Sequence, residues 1–489
     1  MLRGIRRTLA VTLLAALAAS AQAESNLPAI GSPVDQVLSP RQEAAIGADM
    51  MARARAQLFL NSDPEVASYI DSVGQGLASG VDTPPFERFT FFVVDDSRIN
   101  AFALPGGYIG INSGMFLRAE SEAEVAGVLA HEIAHVTQRH IARAYAEQQR
   151  TQYTTLAAIL AGLILGGQNP QAAQAAITTG IASGKQQELN YTRSNEYEAD
   201  RIGIGILADA GYDPQGMAAM FDLLMRSAGE SADAVPEFLR THPLSTNRIA
   251  EAQNRAAQMH VMDARSDTLT FHLMRTRLEV LQADEPQSLH QRWTDSDMPT
   301  ERYRAAARRY GLALLEIARG DAARAAERLE ALRSGAPDNL HYGLALARAY
   351  RALGRDQDAL ATWQHLRSIY PSTYPVIAAG AELLEHTGQA DQAVDLVTGY
   401  LRDDPGAPAE GWHQLARVAE SAGRDALSHE ALGEFYTRTN RFDRALKQLQ
   451  IARDQAESGS PADLRLQARI DQVRSMQRDR MERNPVSSQ

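Results

Sequence analysis

His131-Glu132-Ile133-Ala134-His135 is the stretch on which the reading of this 489-residue chain turns. At about 100° per residue, two histidines four apart on a helix lie about 40° from each other and can grip one ion. Glu132 lies on the same side. Ser121 and Glu124 have the spacing of a capping box, so a helix is predicted from Ser121 to about Ala146. Val125, Val128, Leu129 and Val136 form its apolar stripe, with both histidines at the margin, so the ligands face the interior. Such a five-residue match arises by chance in roughly two chains of this length per hundred, so a second signal is needed. Glu196-Tyr197-Glu198-Ala199-Asp200, opening another predicted helix after Ser194, supplies it. A catalytic zinc takes three protein ligands and leaves one position for water. His131, His135 and Glu196 make up that set, for one Zn2+ per chain. Asp200, one turn past Glu196, can accept a hydrogen bond from a ligand histidine and fix its ring. Without the histidine pair, the same acidic turn would read as an ordinary complement to a helix dipole.

The chemistry expected of such a site is peptide hydrolysis. Zinc lowers the pKa of water and polarises the carbonyl, while Glu132 takes the proton and later returns it to the leaving amine. Asp200 and His242 are both candidates to stabilise the oxyanion or deliver a proton. His242 has two further readings: a cap in a Thr241-His242-Pro243 turn, or a third histidine that closes the open zinc position and keeps the enzyme latent. The remaining histidines, His140 among them, read most simply as core or surface residues.

Around the motif the chain is mixed. Helices are expected from Arg41 and over Pro64–Leu77. Phe89–Val94 is an aromatic and β-branched run that reads as a strand, and Tyr108–Asn112 as its antiparallel partner. Asn100–Gly107 between them holds Pro105, Gly106 and Gly107, which demand a turn or an edge position. Thr154–Ser183 is Ala-, Leu- and Ile-rich and reads as two buried helices, each half too short to span a membrane, with a mobile lid or membrane-touching hairpin as the alternative. From Tyr310 the chain repeats. Gly320, Gly354 and Gly388 are 34 apart, as are Pro337, Pro371 and Pro405, and Ala325, Ala359 and Ala393. Each unit is then a helix-turn-helix that needs its neighbours for a core, and the pattern resembles tetratricopeptide repeats. Four to five helical pairs with a solvating C-terminal helix are expected.

Composition fits a globular protein of more than one domain, at 44% hydrophobic and 22% charged residues. A net charge of −11 argues against the broad basic surface that nucleic acid requires. The absence of cysteine rules out disulfides and thiolate zinc sites, leaving His and carboxylates as ligands. Arg3, Arg6 and Arg7, the apolar run Leu9–Ala18 and Ala21-Gln22-Ala23 make a signal peptide cleaved after Ala23. A large cysteine-free exported chain suits a bacterial periplasm, and no spanning segment is expected in the mature chain.

Asn100–Gly107, His131–His135, Glu196–Asp200 and Thr241-His242-Pro243 followed by Arg248 together resemble the HtpX-like gluzincin peptidases. The leader and the repeats narrow the resemblance to periplasmic members of Gram-negative bacteria. It implies an α+β fold: a mainly helical zincin-type metallopeptidase domain with a small antiparallel sheet, then an all-α repeat solenoid. The limits read are 1–23 signal, 24–262 peptidase, 263–309 helical connector and 310–483 repeats. The resemblance makes Ala101, Phe102, Ala103 and Leu104 an edge strand that pairs with substrate backbone. It implies unfolded or misassembled outer-membrane proteins as clients, and the barrel-assembly machinery as a further partner. The alternative is a catalytically latent chaperone or scaffold on the same fold. The repeats are expected to pack over the active site.

Overall fold

The computed structural model describes residues 33–81, 86, 88–148, 192–230 and 236–483. The signal peptide at 1–23, the apolar stretch at 154–183 and the tail from 484 lie outside the described residues.

Two chain reversals between Thr90 and Asn112 set the sheet. Its strands are β1 (Thr90–Val94), β2 (Ala101–Leu104) and β3 (Tyr108–Asn112), in the order β1-β3-β2. β3 runs parallel to β1 and antiparallel to β2. This corrects the antiparallel pairing expected of the first and last strands. Ala101–Leu104 is itself a strand, so the chain turns back twice and returns in the direction of β1. The second reversal uses Pro105, Gly106 and Gly107, and both glycines have left-handed φ values of 80° and 82° that side chains disfavour. Gly110, at the centre of the middle strand, leaves room for the rings of Phe92 and Phe102 to meet edge to face at 5.9 Å. β2 lies at an edge of the sheet.

Both faces of the sheet are covered, following the period of two. Phe91, Val93, Ala101, Ile109 and Ile111 enter the main core, while Phe92, Val94, Phe102 and Leu104 gather with Met51, Leu60 and Tyr108. Met51 comes from helix Pro40–Gln57, which starts with a capping box between Ser39 and Gln42 and a proline in its first turn. This helix passes so close to the β2–β3 turn that a Cβ on Gly47 would stand 1.6 Å from the Pro105 carbonyl oxygen.

Helix Glu122–Thr137 carries the His-Glu-x-x-His motif. Ser121 caps Glu124 N–H as expected, but the Glu124 carboxylate accepts from Glu120 N–H instead of closing the box on Ser121. Every residue from Glu122 to Val136 is buried, not one stripe, because helices Pro64–Ala78, 192–209 and Gln215–Glu230 surround it together with the sheet. Nor does it run on to Ala146. Arg139 takes a left-handed φ of 52°, and a new helix covers 140–148. The Arg139 side chain holds that break, donating to Glu43 at 3.1 Å and the Leu38 carbonyl at 2.6 Å and pairing with Asp35.

Residues 263–309 are built into the fold, not strung between its parts. Ser266 accepts Ala123 N–H at the start of the motif helix, and Phe271, Leu273, Met274 and Leu278 of helix Leu269–Leu281 are fully buried. That helix packs on Arg302–Ala318, the first helix of the repeat array, so residue 310 falls inside a helix. The 34-residue signature shows only from that helix's second half, which is why the array reads as starting late. Pairs follow at Arg302–Ala318 with Ala322–Ser334, Leu340–Ala352 with Asp356–Ile369, Tyr374–His386 with Ala390–Asp403, and Ala409–Ser421 with Asp425–Arg438. Helices Phe442–Asp454 and Pro461–Arg483 close the array around Leu449, Leu466, Ile470 and Val473. Gly320, Gly354, Gly388 and Gly423 all take left-handed φ at the turn within a pair, and Ala325, Ala359 and Ala393 are fully buried where paired helices meet.

The array rests on the first domain. His341 and Arg348 meet Glu65, Arg88 donates to the Gly406 carbonyl at 2.6 Å, Arg55 pairs with Glu410 at 3.4 Å, and Arg480 pairs with Asp49. These polar contacts fall on helices Pro64–Ala78 and Pro40–Gln57 and on Arg88, and none involves a residue of the motif.

Candidate metal centre

Three helices bring the site together. His131 and His135 project from Glu122–Thr137, Glu196 and Asp200 from 192–209, and His242 follows the short helix Glu237–Thr241. Gly203 permits the approach of the second helix, since a Cβ there would be 3.1 Å from the His131 backbone nitrogen.

One ligand atom from each of His131, His135, Glu196 and His242 lies within 4.8 Å of the others. His131 Nε2 is 3.0 Å from His135 Nε2 and 3.6 Å from Glu196 Oε2, and His135 Nε2 is 3.4 Å from Glu196 Oε1. Ligand atoms about 2.0–2.1 Å from one tetrahedral ion stand about 3.3 Å apart, so these spacings fit a single small cation. The charges agree. Three buried carboxylates, Glu132, Glu196 and Asp200, face one buried guanidinium, that of Arg248, and a divalent cation balances them. Glu132 Oε1 has no hydrogen-bond partner, and the His242 ring nitrogen Nε2 lies 3.6 Å away.

The carboxylates are held in place from behind. Arg248 donates from Nε and Nη2 to the two oxygens of Asp200 at 2.7 and 2.8 Å, and Nη1 lies 2.9 Å from Glu196 Oε2. Asp200 Oδ1 is also 3.1 Å from His131 Nδ1. Asp200 therefore stands on the far side of the His131 ring from the cluster, with both oxygens engaged. Without an ion, burial pulls the His131 imidazolium down, but Asp200 and Glu196 outweigh it and raise its pKa to about 9. That proton must leave when a metal binds. Burial opposes the charge on Glu196 and Asp200 as well, yet their histidine and arginine partners hold both carboxyls below the usual range.

His242 occupies the C-cap of its helix, donating its backbone N–H to Phe238, while its ring stacks on Phe238 at 4.6 Å. Its Nδ1 is 3.1 Å from Glu196 Oε1. It thus caps a helix and joins the cluster at once. Ala101 is fully buried, whereas Phe102, Ala103 and Leu104 are half-buried on the edge strand. The residue that sequence reasoning set aside is His140, whose ring packs against His135 with Nδ1 to Nδ1 at 2.9 Å. A His five positions past a ligand gives no helical signal, because only the break at Arg139 brings it back.

The sequence model of Peptidase family M48 matches residues 64–256 of the chain. The chain is similar to the Beta-barrel assembly-enhancing protease of Escherichia coli (strain K12), 34% identical over an alignment of 501 positions that covers 98% of each chain. It is 34% identical to the Putative beta-barrel assembly-enhancing protease of Vibrio cholerae, over 97% of this chain and 98% of that one. A shorter match, 32% identical, joins 35% of this chain to 31% of the Mitochondrial metalloendopeptidase OMA1 of Arabidopsis thaliana. Among the described residues no helix is long and apolar enough to cross a membrane.

Proposed function

The chain belongs to peptidase family M48, together with the β-barrel assembly-enhancing proteases, and from that membership we propose a periplasmic zinc endopeptidase that removes misassembled outer-membrane proteins and assists their assembly. The observation that carries this reading is the cluster of His131, His135 and Glu196, whose spacings suit one tetrahedral ion. Zn2+ at these residues would supply a Lewis acid for the scissile carbonyl and an acidified water. The chain's own groups do the rest. Glu132, buried beside the cluster, takes a proton from the attacking water and passes it to the leaving amine. Asp200 orients His131 through Nδ1, and Arg248 holds Asp200 and Glu196 in register. The edge strand Ala101–Leu104 offers backbone groups to an extended client, which suits an unfolded barrel strand. Residues 24–262 form the peptidase domain, and the repeats serve as the docking surface for clients or for the barrel-assembly machinery.

The test is metal content and cleavage of an unfolded outer-membrane barrel protein by the full chain. Wild type is expected to hold about one zinc per chain, and His131→Ala to lose both the metal and the activity. A chain that cleaves equally well after chelation and in His131→Ala would overturn the proposal. His242 shares the cluster and is proposed to latch the position that an active site keeps open. His242→Ala is accordingly expected to cleave faster at unchanged zinc content. A slower variant would instead assign His242 to the reacting carbonyl.

A further inference from the structure

His135 turns Nε2 toward the cluster, 3.0 Å from His131 Nε2 and 3.4 Å from Glu196 Oε1. A ligand nitrogen must offer a lone pair, so a His135 that holds an ion carries its proton on Nδ1. That nitrogen is 2.9 Å from His140 Nδ1. Two nitrogens so close share one proton, which makes His135 the donor and His140 Nδ1 the acceptor. The proton of His140 then sits on Nε2, 3.1 Å from Glu198 Oε2, and the same oxygen accepts from Arg143 at 2.8 Å. Each contact dictates the next, and no choice of tautomer remains.

The backbone is shaped to allow this chain of contacts. In an unbroken helix, five residues advance about 500°, which would put His140 about 140° around from His135 with the rings apart. The left-handed Arg139, fixed by Glu43 and the Leu38 carbonyl, turns His140 back onto His135. Glu198 sits two residues after Glu196 on the same helix, so the element that brings a ligand also brings the end of this chain. His131 has a matching arrangement, with Asp200 at its Nδ1 and Arg248 behind Asp200.

We propose that His140 is a positioning residue of the metal centre, which with Glu198 and Arg143 behind it fixes the tautomer and ring orientation of His135. The inference rests on the proposed ligation by His135. Outer partners of metal-bound histidines commonly contribute about 10–100-fold to metal affinity.

The test is Zn2+ affinity of the full chain, measured by competition with a chromophoric chelator, for wild type, His140→Ala, His140→Asn and Glu198→Gln. His140→Ala is expected to bind zinc about 10–100-fold more weakly. His140→Asn, whose amide oxygen can accept from His135 Nδ1–H, is expected to recover most of that loss, and Glu198→Gln to lose less than His140→Ala. Wild-type affinity in His140→Ala, or equal losses in the Ala and Asn variants, would overturn the assignment. Should His140→Ala fail to fold, Glu198→Gln decides, since it leaves His140 in place; unchanged affinity there refutes the proposal. A wild-type chain that binds no zinc removes the metal-centre reading and this inference with it, whereas zinc-binding wild type with unaffected variants removes the inference alone.

Discussion

Glu132→Gln is expected to lower the turnover of an unfolded barrel client by about 10²–10⁴-fold, the range over which a positioned general base acts, while zinc content stays at the wild-type level. Glu132 is 1% exposed, and a glutamine fills the same space. It is outside the group of His131, His135, Glu196 and His242, so the substitution removes no ligand. What it removes is a basic oxygen. Glu132 Oε1 has no hydrogen-bond partner, so no neighbour has claimed its lone pairs before a proton arrives. An amide can neither take that proton nor return it to the leaving amine. Turnover and zinc content measured on one preparation separate the outcomes. A variant that cleaves at the wild-type rate would show that some other group moves the proton, and a variant that loses its zinc would show that Glu132 holds the metal.

How much of this could be read from residue order depends on whether the contact is local. Positions four apart on one helix must share a side, so His131 and His135 could be paired on sight. The 34-residue spacing of Gly320, Gly354 and Gly388 is just as direct, because each glycine takes the left-handed turn that ends the first helix of its pair. Strand direction is not local. Phe89–Val94 and Tyr108–Asn112 look the same to the sequence whether they run parallel or antiparallel, and only the pairing of Ala101–Leu104 decides it. His140 was lost for a related reason. Its value depends on one residue, Arg139, taking a conformation usually left to glycine or asparagine, held there by Glu43 and Leu38 about a hundred positions earlier. The all-round burial of the motif helix escaped a one-stripe reading because the covering comes from helices far along the chain.

The same non-local logic governs how the repeats are joined to the peptidase. Glu65, fully buried near the start of helix Pro64–Ala78, accepts from Arg348 at 2.9 Å, meets His341 Nδ1 at 2.7 Å and lies 3.2 Å from Arg277. Arg277 is also bound by both oxygens of Asp63 at 2.7 and 2.6 Å. One carboxylate thus ties the first domain to the connector and to the second helical pair of the array. Burial alone would raise the Glu65 carboxyl, but Arg277, Arg348 and His341 outweigh it and hold the group far below the usual carboxylate range. Glu65→Gln is expected to destabilise the chain by about 3 kcal/mol at neutral pH, the lower end of the range for breaking a buried ion pair, because it takes the counterion from the buried Arg277, which keeps Asp63, and from the part-exposed Arg348. The pH dependence follows from the direction of the shift. A carboxyl held low when folded and released to its ordinary 4.5 on unfolding stabilises fully above that value, and the contribution fades as pH falls below it. The stability gap between wild type and Glu65→Gln should therefore be constant at neutral pH and narrow on acidification below about 4.5. Urea titrations of both proteins between neutral pH and about pH 3.5 give the answer. A gap that stays constant across that range, or no gap at all, would mean that Glu65 does not carry the charge that joins the two parts.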